Sequence, residues 1–297
     1  MLKNRLAFVF YCLLLMIVIL GSCANDKPSL DRRYTIAYKT LANVDANLLS
    51  LDIYPINSPE PVPVVIWVHG GGWSAGDKRF NISNKIQLFK SLGYALVSVN
   101  YRLSSSTIAG ARVKYPDHIN DLADAVAWVY ENIEEYNGDK TKIVIMGHSA
   151  GAQLVALLAS DASFLIKRNI SPAIFSGVMS LDTGAYDFAK LLESGQSQVA
   201  KNYSRVFGDA EPAKTSVISY IKANKILPKY WLFAERGNQE RKMILANLIE
   251  LLKAESIMVS KIDANSLSHA EVNKNIGKPN EQIMTNAVVD FLKMVFK

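Results

Sequence analysis

The sequence predicts an α/β protein, one large domain with a mostly parallel central sheet covered by helices on both faces. Three observations support this. Strand-like apolar runs alternate with helical patterns along most of the chain, the mark of repeated β–α units. One of those units carries a glycine-containing turn between a buried strand and an apolar helix. The chain has 297 residues, 49% of them hydrophobic, which suffices for one sizeable core. The domain is expected to span residues 34–297, with 183–228 as a partial cap.

The residues ahead of the domain have a different character. Lys3 and Arg5 form a positive start, and residues 6–20 are a continuous apolar run. That run has the length of a signal-peptide core and is short for a membrane span. Leu20-Gly21-Ser22-Cys23 follows and resembles a bacterial lipobox. The resemblance implies removal of residues 1–22 and lipidation of Cys23. Several acyl chains on one residue anchor a protein stably, so the expected location is the bacterial cell envelope, facing the periplasm or the cell surface. The plainer alternatives are an ordinary signal peptide or a single anchor helix. Residue 24 is Ala rather than Asp, so the usual inner-membrane retention signal is absent. Cys12 would leave with the leader. The mature chain would then hold one cysteine, itself lipidated, and could form neither a disulfide nor a cysteine metal site. Residues 23–33 read as a short polar tether. The net charge of +6 is scattered, without the basic block or aromatic-interleaved stripe of a nucleic-acid-binding face.

Within the domain, residues 34–39 and 48–54 are strand-like, with a turn at 43–47. In the second, Leu49, Leu51 and Ile53 alternate with Ser50, Asp52 and Tyr54, as in a strand with one buried face. Residues 62–68 are apolar and β-branched, predicting a central strand that runs into His69-Gly70-Gly71-Gly72-Trp73. A helix is predicted over 83–92, stopped by Gly93, and a buried strand over 94–99. A long helix begins at Pro116-Asp117, with Ile119, Leu122, Ala123, Val126, Val129, Tyr130 and Ile133 on one face. Asn137-Gly138 ends it. Further strands are predicted over 174–181, 230–234 and 257–262, and further helices over 239–254 and 281–296. Residues 183–228 have weak periodicity and predict short helices.

The stretch 142–160, KIVIMGHSAGAQLVALLAS, organises the rest. It is a strand, a G-x-S-x-G turn and a helix, the nucleophile elbow arrangement. The serine stands on a sharp, strained turn. The flanking glycines leave room where side chains would clash, and the helix directs its positive N-terminal end at the serine. The plain alternative is a GHSAG that merely turns a β–α unit.

Three segments together, HGGGWSAGDK at 69–78, VNYRL at 99–103 and GHSAGAQL at 147–154, resemble one family. They look like α/β-hydrolase-fold esterases of the carboxylesterase, hormone-sensitive-lipase-like and BD-FAE group. The resemblance covers the chain from about residue 48 to the end, including SHAEVNKNIG at 268–277. It implies Ser149 as nucleophile and His269, on the loop after the last strand, as general base and then acid. It also implies an oxyanion hole from the backbone N–H groups of Ala150, Gly71 and Gly72.

The sequence departs from that family at the acid. The family usually places Asp a few residues after the strand predicted at 230–234, where this chain reads Glu235-Arg236-Gly237-Asn238-Gln239. Three carboxylates are candidates: Asp182 after the strand at 174–181, Glu235, and Asp263 just before the histidine loop. Asp182 is preferred, although Leu181-Asp182-Thr183-Gly184 is also an ordinary turn sequence. His69 is expected to brace the glycine loop, His148 to line the pocket, and His118 to lie on the surface. Trp73 is either a pocket wall or a core residue. Four histidines without metal-ligand spacing point to no metal, and no phosphate-loop spacing occurs in 72–78. No cofactor is implied. The expected activity is hydrolysis of short or medium carboxylic esters, including acetyl or feruloyl groups on saccharides, through an acyl-enzyme. Alternatives are amide, formamide or peptide hydrolysis at the same site, or a binding protein on a decayed hydrolase scaffold.

Overall fold

The computed structural model describes residues 28–297 apart from 109, 194, 196, 224 and 225. Residues 1–22, expected to be a leader, and Cys23, the expected lipidation site, lie outside the described residues. Among those residues no helix is long and apolar enough to cross a membrane.

Eight strands form the main sheet: β1 (Tyr34–Ala37), β2 (Ser50–Tyr54), β3 (Val62–Val68), β4 (Ala95–Val99), β5 (Gly138–His148), β6 (Phe175–Leu181), β7 (Tyr230–Glu235) and β8 (Met258–Asp263). Their order is β1-β2-β4-β3-β5-β6-β7-β8. The first two strands pair antiparallel, β2 is antiparallel to β4, and every pair from β4 to β8 is parallel. Parallel neighbours need crossovers, and the longer helices provide them. These are α1 (Ser83–Ser91), α2 (Asp117–Asn132), α3 (Ala150–Ser160), α4 (Phe188–Glu193), α5 (Ser197–Phe207) and α6 (Gln239–Ala254), while α7 (His269–Lys274) and α8 (Ile283–Val295) follow the last strand.

The side-chain alternation of β3 shows how the two cores form. Val64, Ile66 and Val68 face α2, α3 and α6, joining Ile119, Val126, Leu157 and Leu248. Val65 and Trp67 face the opposite way, joining Phe89 of α1, Val272 of α7 and Phe291 of α8. Burying each such aliphatic side chain contributes about 1.5–3 kcal/mol relative to exposure. Helix α3 has no polar face to offer solvent, and all of its residues are buried. It lies between the sheet and α2, so a helix apolar all round is satisfied there.

Most element boundaries follow the sequence pattern closely, while burial departs from it at two places. Strand β2 is buried on both faces, so Ser50 and Asp52 are inside. They are tolerated because they are paired: Ser50 Oγ accepts from Lys78 Nζ at 2.7 Å, and Asp52 pairs with Arg79 at 2.8 Å. His118 is also buried, correcting the expected surface position. It stands in the first turn of α2 beside Tyr101, and Nε2 meets Ser104 Oγ at 2.9 Å. Burial, assisted by the charge of Arg102, lowers its pKa to about 4, so it is neutral.

The segment after β6 forms α4, α5 and two single helical turns at Pro212–Thr215 and Ile218–Ile221. Phe188, Tyr203, Val206 and Phe207 make a small core of their own there, with Trp73 packed against it.

Candidate active site

All parallel strands end on one edge of the sheet, where α/β proteins place their sites. Three successive strand ends matter. His148 of β5 is paired with Leu181 of β6, and Leu181 with Ala234 of β7. The register continues one residue further. Ser149 N–H donates to Leu181 O at 3.0 Å, and Asp182 N–H donates to Ala234 O at 3.2 Å. Ser149 and Asp182 therefore leave the sheet on adjacent strands at nearly the same level.

Both residues have left-handed backbones, with φ of 57° at Ser149 and 54° at Asp182. Non-glycine residues hold such angles only where surrounding structure imposes them. At Ser149 the imposition is visible in the neighbouring glycines. A Cβ on Gly147 would run into the carbonyl of Gly151, and one on Gly151 into the carbonyl oxygens of Val68 and His69. Strand, turn and helix approach one another too closely for any other residue.

His269 arrives from the far end of the chain. It is the first residue of α7 rather than a loop residue, because Ser268 and Glu271 form a reciprocal capping box that starts the helix there. Its Nδ1 lies 2.6 Å from Asp182 Oδ2 and its Nε2 lies 2.9 Å from Ser149 Oγ. The two contacts define the tautomer. Nδ1–H donates to the carboxylate, which leaves Nε2 to accept from the serine hydroxyl.

The other two candidate acids are engaged elsewhere. Glu235 and Asp263 sit in register with each other on β7 and β8. Glu235 accepts from Lys261 Nζ at 2.9 Å, and Asp263 accepts from the backbone and side chain of Asn265. The structure brings Ser149, His269 and Asp182 together and leaves Glu235 and Asp263 outside.

Two arginines, which the sequence analysis did not single out, complete the surroundings of Asp182. Arg236 Nε donates to Oδ2 at 2.6 Å and Arg241 Nη2 to Oδ1 at 2.7 Å. Burial by itself would raise the carboxyl pKa. Hydrogen bonds from His269 and Arg236, with the charge of Arg241, outweigh it and hold the pKa at about 2. Arg236 stands just past β7, where the resembling family carries its acid. The sequence signal was a cation in the place of a missing carboxylate.

His148 packs its ring 4.5 Å from that of His269, and its Nε2 lies 2.9 Å from the His269 carbonyl oxygen. Burial, then repulsion from His269, lowers its pKa to about 3. It is neutral, and Nε2–H is the donor. His148, Asp182 and His269 place possible ligand atoms within 4.8 Å of one another. A metal ion suits this cluster poorly, since both oxygens of the carboxylate are already held by cations or by His269.

The glycine loop faces the serine. Gly71 has φ of 118° and its carbonyl accepts from Ser74 and Ala75, which folds the loop back on itself. A Cβ there would strike the Ala75 carbonyl. His69 braces the loop by stacking on Tyr101 at 4.5 Å and donating from Nδ1 to Gly70 O at 2.7 Å. Ala150 is buried in the first turn of α3, where an N–H has no partner within the helix. Trp73 Nε1 donates to Gln153 of α3 at 3.2 Å and its ring touches the cap aromatics. It is thus both packed and part of a pocket wall.

Ser149 and His269 separate two cavities. One, of about 320 Å³, is walled by Trp73, Phe188, Leu191, Val199, Tyr203 and Phe207. The other, of about 670 Å³, is lined by the glycine loop with Asp77, Phe80, Asn81, Asn273 and Lys274. The site therefore offers an aligned hydroxyl, a base oriented by a carboxylate, backbone donors nearby, and space on both sides. That set can attack an acyl carbon and divide its two halves between two cavities.

Comparison with known proteins agrees with this geometry. The BD-FAE family model matches residues 51–225. Esterase LipQ of Mycobacterium tuberculosis is 39% identical over 138 residues, 46% of this chain and 30% of that protein. The probable carboxylic ester hydrolase LipM of the same organism is 31% identical over 173 residues, 55% of this chain and 37% of that protein. The chain thus spans about a third of the length of these two relatives. The kynurenine formamidase avaC of Aspergillus versicolor is 30% identical over 182 residues, 57% of this chain and 58% of that protein. Among solved structures, the apo form of Thermogutta terrifontis esterase 2 superposes with a TM-score of 0.68 at 21% identity, covering 90% of this chain and 93% of that one. These structural likenesses establish the α/β-hydrolase fold.

Proposed function

The chain belongs to the BD-FAE family, and from that premise we propose that it is a cofactor-independent serine esterase acting on carboxylic esters. The observation that carries the proposal is the line of contacts from Asp182 through His269 to Ser149, at 2.6 and 2.9 Å. In the proposed reaction His269 Nε2 takes the proton of Ser149 Oγ as that oxygen attacks the ester carbonyl carbon. The N–H groups of Ala150, Gly71 and Gly72 stabilise the oxyanion; one such donor is worth about 3–4 kcal/mol in the transition state. His269 then protonates the departing alkoxide, and water, deprotonated by the same nitrogen, releases the acid. Asp182 keeps the imidazole in the required tautomer and balances its charge.

The aromatic cavity under α4 and α5 suits an apolar acyl chain. The larger cavity, with Asp77, Asn81, Asn273 and Lys274, suits an alcohol rich in hydroxyls. This supports short or medium acyl groups, acetyl and feruloyl included, on saccharides. Lipidation of Cys23 would hold the enzyme on the cell envelope near such substrates. The second reading, a formamide or other amide as substrate, is favoured by the formamidase relative.

The test is hydrolysis of p-nitrophenyl acetate and butyrate by a chain beginning at Asn25, beside Ser149→Ala. Turnover by the parent chain, and loss of roughly 10⁴-fold or more in the variant, supports the proposal. Equal rates for both, with both folded, overturn it. Faster turnover of aryl formamides than of matched esters favours the second reading. Labelled fatty acid incorporated into the full chain, and lost in Cys23→Ser, tests the anchor.

A further inference from the structure

Lys85 is a lysine that the proposed reaction does not use, yet it is fully buried in α1. Its Nζ lies 4.5 Å from the centroid of Trp67. Three acceptors take its three protons: Asn273 Oδ1 at 2.6 Å, Asn273 O at 2.9 Å and Asn81 O at 3.1 Å. Burial pulls the ammonium pKa down to about 7, so keeping it charged in this place is costly. Packing alone does not call for it, since an apolar side chain of similar length would fill the space more cheaply.

The acceptors show what the ammonium does. Asn273 lies in the last turn of α7, and His269 is that helix's first residue. Residues four apart are one helical turn apart, on one side of the helix. The carbonyl of His269 accepts from His148 Nε2 and the carbonyl of Asn273 from Lys85 Nζ. One short helix is thus gripped at two carbonyls, one turn apart, by donors from two other elements. A cation also suits the carbonyl end of a helix.

We infer that Lys85 is a positioning residue which, with His148, holds α7 so that His269 Nε2 meets Ser149 Oγ. The inference rests on the esterase reading above for its kinetic consequence, but its structural content is independent of it. Val272 is the one apolar side chain of this six-residue helix in the core, and its first residue is exposed, so packing alone does little to fix its direction. Displacement of a reacting group by an ångström costs on the order of 100-fold in rate.

The experiment compares Lys85→Met, Asn273→Leu, their double variant and Asn273→Asp. Lys85→Met keeps the aliphatic stem and removes the three donors. Its kcat on p-nitrophenyl acetate is expected to fall roughly 10- to 100-fold with KM within about twofold, in protein folded by circular dichroism. Asn273→Leu should lose a similar factor and the double variant little more than either single one, while Asn273→Asp, which keeps an acceptor for Lys85, should retain more kcat than Asn273→Leu. Amide exchange over residues 268–275 should quicken about tenfold in Lys85→Met and Asn273→Leu. A folded Lys85→Met with the parent kcat and unchanged exchange in α7 overturns the inference. Should Lys85→Met fail to fold, Asn273→Leu carries the same test from the other side of the contact. Inactivity of the parent chain towards esters would count against the esterase reading alone, and the exchange measurement would still decide the role of Lys85.

Discussion

Asp182 Oδ2 meets His269 Nδ1 at 2.6 Å, although the carboxylate stands after β6 rather than after β7. The contact exists because the Asp182 backbone turns left-handed directly beyond the last ladder pair and sends the side chain inward. Asp182→Asn is therefore expected to lower kcat by about 10³- to 10⁴-fold, since an amide in that place favours the wrong imidazole tautomer. Glu235→Gln and Asp263→Asn are expected to stay within about twofold. Steady-state kinetics on one ester, with folding checked by circular dichroism, separates the three.

The arginine pair gives a second prediction. Arg236 and Arg241 both contact Asp182, and their side chains are 22% and 25% exposed. Losing one leaves the carboxylate with the other guanidinium and with His269. Arg241→Met should lower stability by only about 1 kcal/mol after allowance for solvent screening. The double change to Met at both positions should cost more than the sum of the singles, because it leaves a buried carboxylate paired only with an imidazole. Urea denaturation of the four proteins measures this.

Acid should weaken the fold in two stages. His148 has a folded pKa of about 3 against an ordinary 6.5. Between those values the unfolded chain binds more protons than the folded one, so stability falls as the pH drops through that window. His118, lowered to about 4, acts in the same direction. Asp182 has a folded pKa of about 2 against 3.8. Its contribution, about 2 kcal/mol, is present above the unfolded value and is lost as the pH falls from about 4 to about 2. His148→Gln keeps an N–H donor towards the His269 carbonyl without a titrating ring. Its denaturation midpoint between pH 6.5 and 4 should vary less with pH than that of the parent chain.

Two glycines make the elbow and its facing loop possible, for different reasons. Gly151→Ala places a methyl against the Val68 and His69 carbonyls. It should lower the melting temperature by several degrees, or prevent folding, as backbone cannot yield there as a side chain could. Gly71→Ala adds strain at φ of 118° in an exposed loop. The methyl would also strike the Ala75 carbonyl, so the melting temperature should fall, though by less than in Gly151→Ala because the loop can shift, and kcat should drop by about 10- to 1000-fold, the range for a displaced oxyanion donor.

Cavity size gives the last prediction. Val199 of α5 is only partly buried and lines the aromatic cavity. Val199→Phe should lower kcat/KM for butyrate about tenfold or more and leave acetate within about twofold. Sensitivity to the size of the alcohol instead would assign that cavity to the leaving group.

Much of this molecule is legible in one dimension because its periodicities are strong. Residues 62–68 and 239–254 are recognisable as strand and helix from apolar spacing alone, and their boundaries in the structure are Val62–Val68 and Gln239–Ala254. Ser149 is conspicuous because a strained turn between β5 and α3 demands glycines at fixed offsets. Ser50, Asp52 and His118 were harder, as a polar residue inside is distinguished from one outside only by its partner. Those partners lie up to 28 positions away, at Lys78, Arg79 and Ser104. Arg236, Arg241 and Lys85 carried no motif.

The sequence by itself determined the α/β architecture, the elbow at Ser149 and the short list of acids, since each depends on local spacing or on a turn that few residues can make. Only the tertiary structure decided which acid faces His269. Asp182 lies 87 positions from it along the chain. Asp182, Glu235 and Asp263 end three neighbouring parallel strands, so in one dimension they are equivalent. What separates them is strand order and the direction of one backbone turn, which put Asp182 on the strand next to Ser149 and the other two further from it.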